Sequence, residues 1–314
     1  MLSVFTPAVN NYAYFYLMNS TLFKVVNLKK PTRVFDYILE NPSIVLPTKT
    51  SVKKAFKRAQ IFVNGIVATT GDWLKVGDEI VFKTKDLVQQ KVFPLSLEVL
   101  YEDEFIAVIN KPAGYAVSGN FYKTIQNALS SNIALSSQID ALLIPRPVHR
   151  LDKLTSGILL IAKTKSAQIN LSKQFENQAI EKTYYALVKG IIEGSGFFDA
   201  PIASQSAFTS YTGVQVEKSL SYSWVSLVKL NPKTGRTHQL RIHLAHAGYP
   251  IIGDYLYDSN SVLKGKGLFL CASKIGFTHP NSKEFKTFEL PIPNKYASLL
   301  ERELRRWNKF NSKV

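Results

Sequence analysis

Two unbroken apolar runs constrain the fold most: Phe105-Ile106-Ala107-Val108-Ile109, and the segment that opens at Gly157 and continues Ile158-Leu159-Leu160-Ile161-Ala162. Each is short, rich in β-branched residues and bounded by polar, turn-forming stretches, which is the pattern of a buried strand. The first is predicted to stop at Asn110-Lys111-Pro112-Ala113-Gly114, a turn by composition. A third strand is predicted over Lys182-Thr183-Tyr184-Tyr185-Ala186-Leu187-Val188. Alternation puts Tyr184 on one face with Lys182 and Ala186, and Tyr185 on the other with Leu187, so the two tyrosines cannot do the same job.

The partner class follows from charge. Of 314 residues, 39 are Lys or Arg and 23 are Asp or Glu, a net +16. A polyanion is the natural partner of such a chain, because each neutralised phosphate releases a counterion. The plainer alternative is a solvated basic surface with no specific partner. No stretch combines a long apolar face with clustered lysines, so a membrane surface is not indicated. No run approaches the roughly 18 apolar residues of a membrane span. Residues 1–17 are apolar but lack a basic leading segment and contain Pro7, Asn10 and Asn11, so they do not read as a secretory signal. Met18 is an alternative start, and a cytoplasmic protein is expected. The single cysteine, Cys271, excludes a disulfide within the chain and sits in an apolar run as a buried, inert thiol.

A compositional seam at 86–94 divides the chain. The expected organisation is an extension over 1–31, a small unit over 32–85, a linker over 86–94 and a large unit over 95–314. In the small unit a helix is predicted over 51–59, with Val52, Ala55, Phe56 and Ala59 facing a core. Lys53, Lys54, Lys57 and Arg58 then share the opposite face as two i,i+4 rows of like charge. Such rows repel one another, which a phosphate backbone relieves; a merely solvated face is the competing reading. The strand 61–63 ends in an Asn64-Gly65 hairpin signal, and Val76-Gly77-Asp78 leads into a strand over 79–82.

Three segments carry candidate chemistry. The first is His149-Arg150-Leu151-Asp152-Lys153-Leu154-Thr155-Ser156-Gly157, at the mouth of a predicted buried strand. Cations on both sides of a carboxylate favour its charged form, which a nucleophile or general base needs. An aspartate there is also explained as a simple turn residue. The second is the Lys182–Val188 strand with Tyr184. The third is Thr234-Gly235-Arg236-Thr237-His238-Gln239-Leu240-Arg241-Ile242-His243-Leu244-Ala245, where Thr237 is the expected N-cap and Gly248 the expected stop of a helix. Arg241 is a charge on an apolar-rich helix and calls for a carboxylate or phosphate partner. His238, His243 and His246 invite a metal reading. His238 and His243, however, lie about 500° apart around a helix, and no cysteine or third ligand joins the pair His243 and His246. No metal is expected.

His149-Arg150-Leu151-Asp152 with Thr155-Ser156-Gly157, Lys182-x-Tyr184-x-Ala186, Gly235-Arg236-Thr237-His238-Gln239-Leu240-Arg241 with Gly253-Asp254, and Asn110-Lys111-Pro112-Ala113-Gly114 together resemble the RluA branch of the pseudouridine synthases. The likeness runs in order over 97–293. The family pattern is departed from at Ser118-Gly119-Asn120, which bears on substrate identity. The small unit resembles the RNA-binding domain named after the fourth small-subunit ribosomal protein.

The resemblance implies an α+β fold, a mixed and mainly antiparallel sheet with flanking helices and a cleft, beside the small N-terminal α/β unit. It implies conversion of uridine to pseudouridine in ribosomal or transfer RNA, with no cofactor and no obligate protein partner. Asp152 would be the catalytic carboxylate, Arg241 would pair with it, Tyr184 would stack on the uracil, and Arg150 would fill the space that the target base vacates. Lys53, Lys54, Lys57 and Arg58 would grip RNA.

Overall fold

The computed structural model describes residues 15–17, 20–28, 30–41, 49–83, 92–258 and 267–312. The alternative start Met18, most of the extension before it and the seam from 86 to 91 lie outside these residues. The chain divides into two compact units, Met1–Lys91 and Val92–Val314.

The first unit contains β1 (Phe15–Leu17), β2 (Ser20–Lys24), α1 (Val34–Glu40), α2 (Lys49–Lys57), β3 (Ile61–Val63), β4 (Ile66–Val67) and β5 (Glu79–Lys83). Its sheet runs β1-β2-β5-β3-β4, antiparallel throughout. Asn64 and Gly65 both take positive φ, 50° and 82°, the backbone that a two-residue hairpin needs. The Asn64 side chain then ties this turn to the next one, donating to Asp78 Oδ1 at 2.8 Å and accepting from the Glu79 N–H at 2.9 Å. Val34, Ile38, Val52, Ala55, Ile61 and Ile80 form the core. Lys53, Lys54, Lys57 and Arg58 are all exposed. Ala59 departs from expectation: α2 ends at Lys57, and Ala59 is exposed in the left-handed region (φ 50°), where it reverses the chain instead of extending the apolar stripe. The strands β1 and β2 and the helix α1 were not legible, being short and without a clear period.

The second unit contains β6 (Glu98–Glu102), β7 (Ile106–Lys111), α3 (Ile125–Ala128), β8 (Ala141–Pro147), β9 (Ser156–Thr164), α4 (Lys165–Glu176), β10 (Glu181–Lys189), β11 (Ser195–Phe198), β12 (Thr209–Ser219), β13 (Ser223–Pro232), α5 (Gln239–His246), β14 (Leu270–Thr278), β15 (Phe285–Glu289) and α6 (Lys295–Asn311). Ten strands form one sheet in the order β11-β12-β13-β10-β14-β9-β7-β6, with β15 added to β14 and β8 to β9. Every pairing is antiparallel except β14 with β9. This is the mixed, mainly antiparallel α+β architecture. The strand β7 continues through Asn110 and Lys111, past the point where composition placed the turn.

The parallel junction is short. It consists of Cys271 opposite Ser156 and Ala272 opposite Gly157. Gly157 has φ +114°, and a Cβ built on it would lie 2.0 Å from the Ala272 carbonyl oxygen. Only glycine allows the two backbones to meet there while the chain bends out of the 148–155 loop into β9. Gly157→Ala should therefore combine backbone strain with overpacking, at a cost of about 3 kcal/mol or more. Urea unfolding measures it; a variant as stable as the wild type would show that the junction has slack.

Candidate active site

Asp152 lies in the loop between β8 and β9, just ahead of the parallel junction. The loop closes on itself through the Thr155 N–H to Asp152 carbonyl bond of 3.1 Å. Beneath it, Lys111 at the end of β7 is fully buried. Its ammonium donates to the carbonyls of Thr155 at 2.7 Å, Pro112 at 3.0 Å and Lys153 at 3.4 Å. The Gly114 N–H adds a bond to the Lys153 carbonyl at 2.8 Å. Burial pushes the Lys111 pKa down to about 8, against an opposing pull from Asp152. The loop is thus tied from below by one cation that exhausts its donors on backbone oxygens.

The loop forms one wall of a cavity of about 530 Å³, whose lining includes Arg150, Asp152, Lys182, Tyr184, His238 and Arg241. Arg150 is exposed. Lys182 and Tyr184 both face the cavity from β10, while Tyr185 packs with the core on the other face. Burial, and after it Asp152, raises the Tyr184 pKa above the usual phenol range, so its hydroxyl stays protonated. His149 is stacked on Phe175 with centroids 4.8 Å apart, and its Nε2 accepts the Leu160 N–H at 3.0 Å. Burial, reinforced by the nearby Lys182, pushes its pKa down to about 3 and keeps the ring neutral.

Arg241 faces two carboxylates. Its planar fork grips Asp254: Nε donates to Oδ2 and Nη2 to Oδ1, each at 2.7 Å. Asp152 receives the remaining side of the guanidinium, with Nη1 at 3.7 Å from Oδ2. A guanidinium has donors enough for both, and the shorter, bidentate pair sets its orientation. Burial opposes the charge of Arg241, but Asp254 and then Asp152 outweigh it and raise its pKa. Tyr257 lies under the guanidinium at 5.0 Å and hydrogen-bonds His238 Nδ1 at 2.9 Å. Asp254 was legible only as part of a motif. The signal that would have found it is the demand of a buried arginine for a bidentate acceptor.

The helix α5 begins after His238, which takes the cap position in the left-handed region (φ 56°), so Thr237 is not the N-cap. That backbone directs His238 Nε2 towards Asp152 Oδ1, 3.9 Å away. Gly248, with φ 87°, closes the helix. The histidines have separate partners. His243 is buried between Thr209 Oγ1 at 3.1 Å and the Ala200 carbonyl at 3.0 Å, while His238 faces Tyr257. Among the described residues no three His, Cys, Asp or Glu side chains are grouped to hold a metal ion.

Asp254→Asn should be severe. The side chains of Arg241 and Asp254 are 5% and 1% exposed, and the amide leaves a buried guanidinium facing an N–H₂ group. Breaking one side of a buried pair costs about 3–5 kcal/mol. Urea unfolding of the variant is the check, and an unshifted midpoint would show that Asp152 alone can hold Arg241.

Comparison with known proteins gives a consistent result. Residues 105–246 match the family described as RNA pseudouridylate synthase. An uncharacterised RNA pseudouridine synthase of Bacillus subtilis is 32% identical over 81% of this chain and 89% of its own length. The ribosomal large subunit pseudouridine synthase C of Salmonella typhimurium is 32% identical over 81% of this chain and 88% of its own. The solved structure of human RNA pseudouridylate synthase domain containing 1 superimposes with a TM-score of 0.52 at 25% identity, covering 62% of this chain and 83% of that one.

Proposed function

The chain belongs to the RNA pseudouridylate synthase family, in its RluA branch, and from that premise we propose that Asp152 is its catalytic carboxylate. The enzyme is an RNA-modifying isomerase: the glycosidic C–N bond of a uridine breaks, the uracil turns, and a C–C bond forms through carbon 5 of the base. The observation that carries the assignment is the side of Arg241 left over from the Asp254 fork, which faces Asp152 inside the cavity that Tyr184 also lines.

In this reading the carboxylate acts on the ribose, either by attack at the anomeric carbon or by removal of the neighbouring sugar proton. Arg241, immobilised by Asp254, keeps Asp152 aimed. Tyr184 offers its ring face to the uracil and a neutral hydroxyl, not a standing phenolate, near the carbon that loses a proton. The target nucleotide must leave its stack, at a cost of about a few kcal/mol. Arg150, exposed and lining the cavity, would enter the gap. No cofactor has a role in this scheme.

Several close relatives are named for the ribosomal large subunit, which favours ribosomal over transfer RNA as the substrate and the cytoplasm as the place of action. No described helix is long and apolar enough to cross a membrane. The first unit would be the RNA-binding domain of the ribosomal-protein type. Its paired helices and the exposed Lys53, Lys54, Lys57 and Arg58 support that role, while 95–314 would be the catalytic domain. Mapping pseudouridines in total RNA with and without the gene identifies the target.

Asp152→Asn should bind RNA normally and lose about 10⁴-fold or more in turnover, because the amide can serve neither as nucleophile nor as base. Tritium release from RNA labelled at uracil carbon 5 reads this directly. Substantial release by the variant would place the chemistry elsewhere.

Changing Lys53, Lys54, Lys57 and Arg58 together to Gln should weaken binding to structured RNA and flatten its salt dependence. Each lost phosphate contact lowers the slope of log affinity against log salt by roughly 0.7 to 0.9. Turnover at saturating RNA should persist. An unaltered slope would mean that this helix face is only solvated.

A further inference from the structure

Lys182 differs from the other shielded cations of the catalytic unit. Lys163 is paired with Glu102 at 2.7 Å, and Arg241 with Asp254. Lys111 spends its ammonium on three carbonyls. Lys295 donates to the Leu268 carbonyl at 2.9 Å and lies over the Phe269 ring. Among the described residues Lys182 has no carboxylate partner, and its one hydrogen bond, to the Thr234 carbonyl, is long at 3.4 Å. An ammonium has three donors, so most of its capacity is open to the cavity it lines.

Its surroundings supply no counter-charge. The neighbouring imidazole of His149 is held neutral and stacked on Phe175. Glu176 lines the same cavity without forming an ion pair with Lys182. From the turn after β13, Lys233 and Arg236 also line the cavity. Arg236 gives its Nε to the Ser206 carbonyl at 3.0 Å and, like Lys233, forms no ion pair among the described residues. Lys182, Lys233 and Arg236 thus line the cavity that also holds Asp152, already faced by Arg241. A partly buried ammonium without a partner is unfavourable, and a methionine of similar length would fill the site at less cost. A neutral uracil oxygen needs one donor and no net charge. An ammonium with open donors, in a cavity lined by further cations that form no ion pair among the described residues, matches an anion.

We propose that Lys182 is the anion-binding residue of this cavity and that its ligand is a backbone phosphate flanking the nucleotide whose base lies on Tyr184. The two side chains leave the same face of β10 two residues apart, about 7 Å along the strand. A nucleotide stacked on Tyr184 thus brings a phosphate within the span of a lysine side chain. The inference rests on the reading of the cavity as a uridine pocket, and the experiment separates the two.

Uridine, uridine 5′-monophosphate and uridine 3′-monophosphate would be titrated by NMR into the full-length wild type and into Lys182→Met. In the wild type one monophosphate should bind at least about tenfold more tightly than uridine, as expected for hydrogen bonds to a charged acceptor. Which isomer does so identifies the flanking phosphate. In Lys182→Met that advantage should vanish while uridine binds as before, and the unfolding midpoint should not fall. A structural lysine would give the opposite pattern: lower stability and an intact phosphate advantage. If Lys182→Met does not fold, the same titration on Lys182→Gln decides. Uridine bound equally with and without phosphate, or an advantage that survives the substitution, overturns the role of Lys182 alone. Failure of the wild type to bind uridine at all would overturn the pocket reading itself, and this inference with it.

Discussion

The buried fork between Arg241 and Asp254 is the interaction on which the site's geometry depends. It joins the helix α5 to the segment that precedes the last long strand, and it fixes a guanidinium plane in a place where water cannot substitute for a missing acceptor. Two further groups use that plane. Asp152 meets its free side, and Tyr257 meets its face while holding His238 by hydrogen bond. Asp254 also caps its own turn, accepting the Leu256 N–H at 3.2 Å. One carboxylate thus sets the turn, the arginine and, through the arginine, the surroundings of Asp152. Division of labour follows from the distances. The short contacts belong to the group that positions, and the long one belongs to the group proposed to react, which must remain free to approach a substrate.

The same economy governs the floor of the site. The sheet changes from antiparallel to parallel at a junction two residue pairs long, and Gly157 is the residue that lets it do so. A loop that leaves a sheet at such a break has no ladder of its own to hold it. Lys111 replaces the ladder with an ammonium that collects the carbonyls of Pro112, Lys153 and Thr155. This explains why a lysine can be fully buried here without a carboxylate: its partners are backbone dipoles. It also explains why β7 runs two residues further than composition suggests, because the strand delivers Lys111 beneath the loop.

Much of this was legible in the sequence, and the exceptions share a cause. The strands β7, β9 and β10 announce themselves through apolar runs and alternation, and the Asn64-Gly65 hairpin through a residue pairing that readily takes two positive φ angles. The motif segments were visible because chemistry-bearing residues sit at fixed offsets in polar stretches. What local pattern could not supply was pairing across distance. Arg241 was seen to need a partner, and the resemblance supplied Asp152; that Asp254 takes the bidentate side as well depends on the path of the chain after α5. The start of α5 was misjudged for a related reason. Thr237 has the usual cap chemistry, yet His238 takes the cap position in the left-handed region, and its ring is bonded to Tyr257, nineteen residues on in the chain.

The charge states around the cavity bear on what the proposed chemistry can use. His149 is kept neutral and already accepts a backbone N–H, so its Nε2 has no free lone pair with which to act as a base. Tyr184 is held protonated by burial and by Asp152. Neither group can be the resting acceptor for the proton that leaves the uracil ring. Asp152 lines this cavity together with Tyr184 and Arg241, and is the carboxylate that Arg241 and His238 Nε2 both face. A neutral phenol between the base and a carboxylate can pass a proton along without ever ionising on its own, because it gives one up as it takes another. The raised phenol pKa is therefore not an obstacle to the proposed role of Tyr184. It prevents a standing phenolate, whose charge beside Asp152 would place two anions on a single arginine already shared with Asp254.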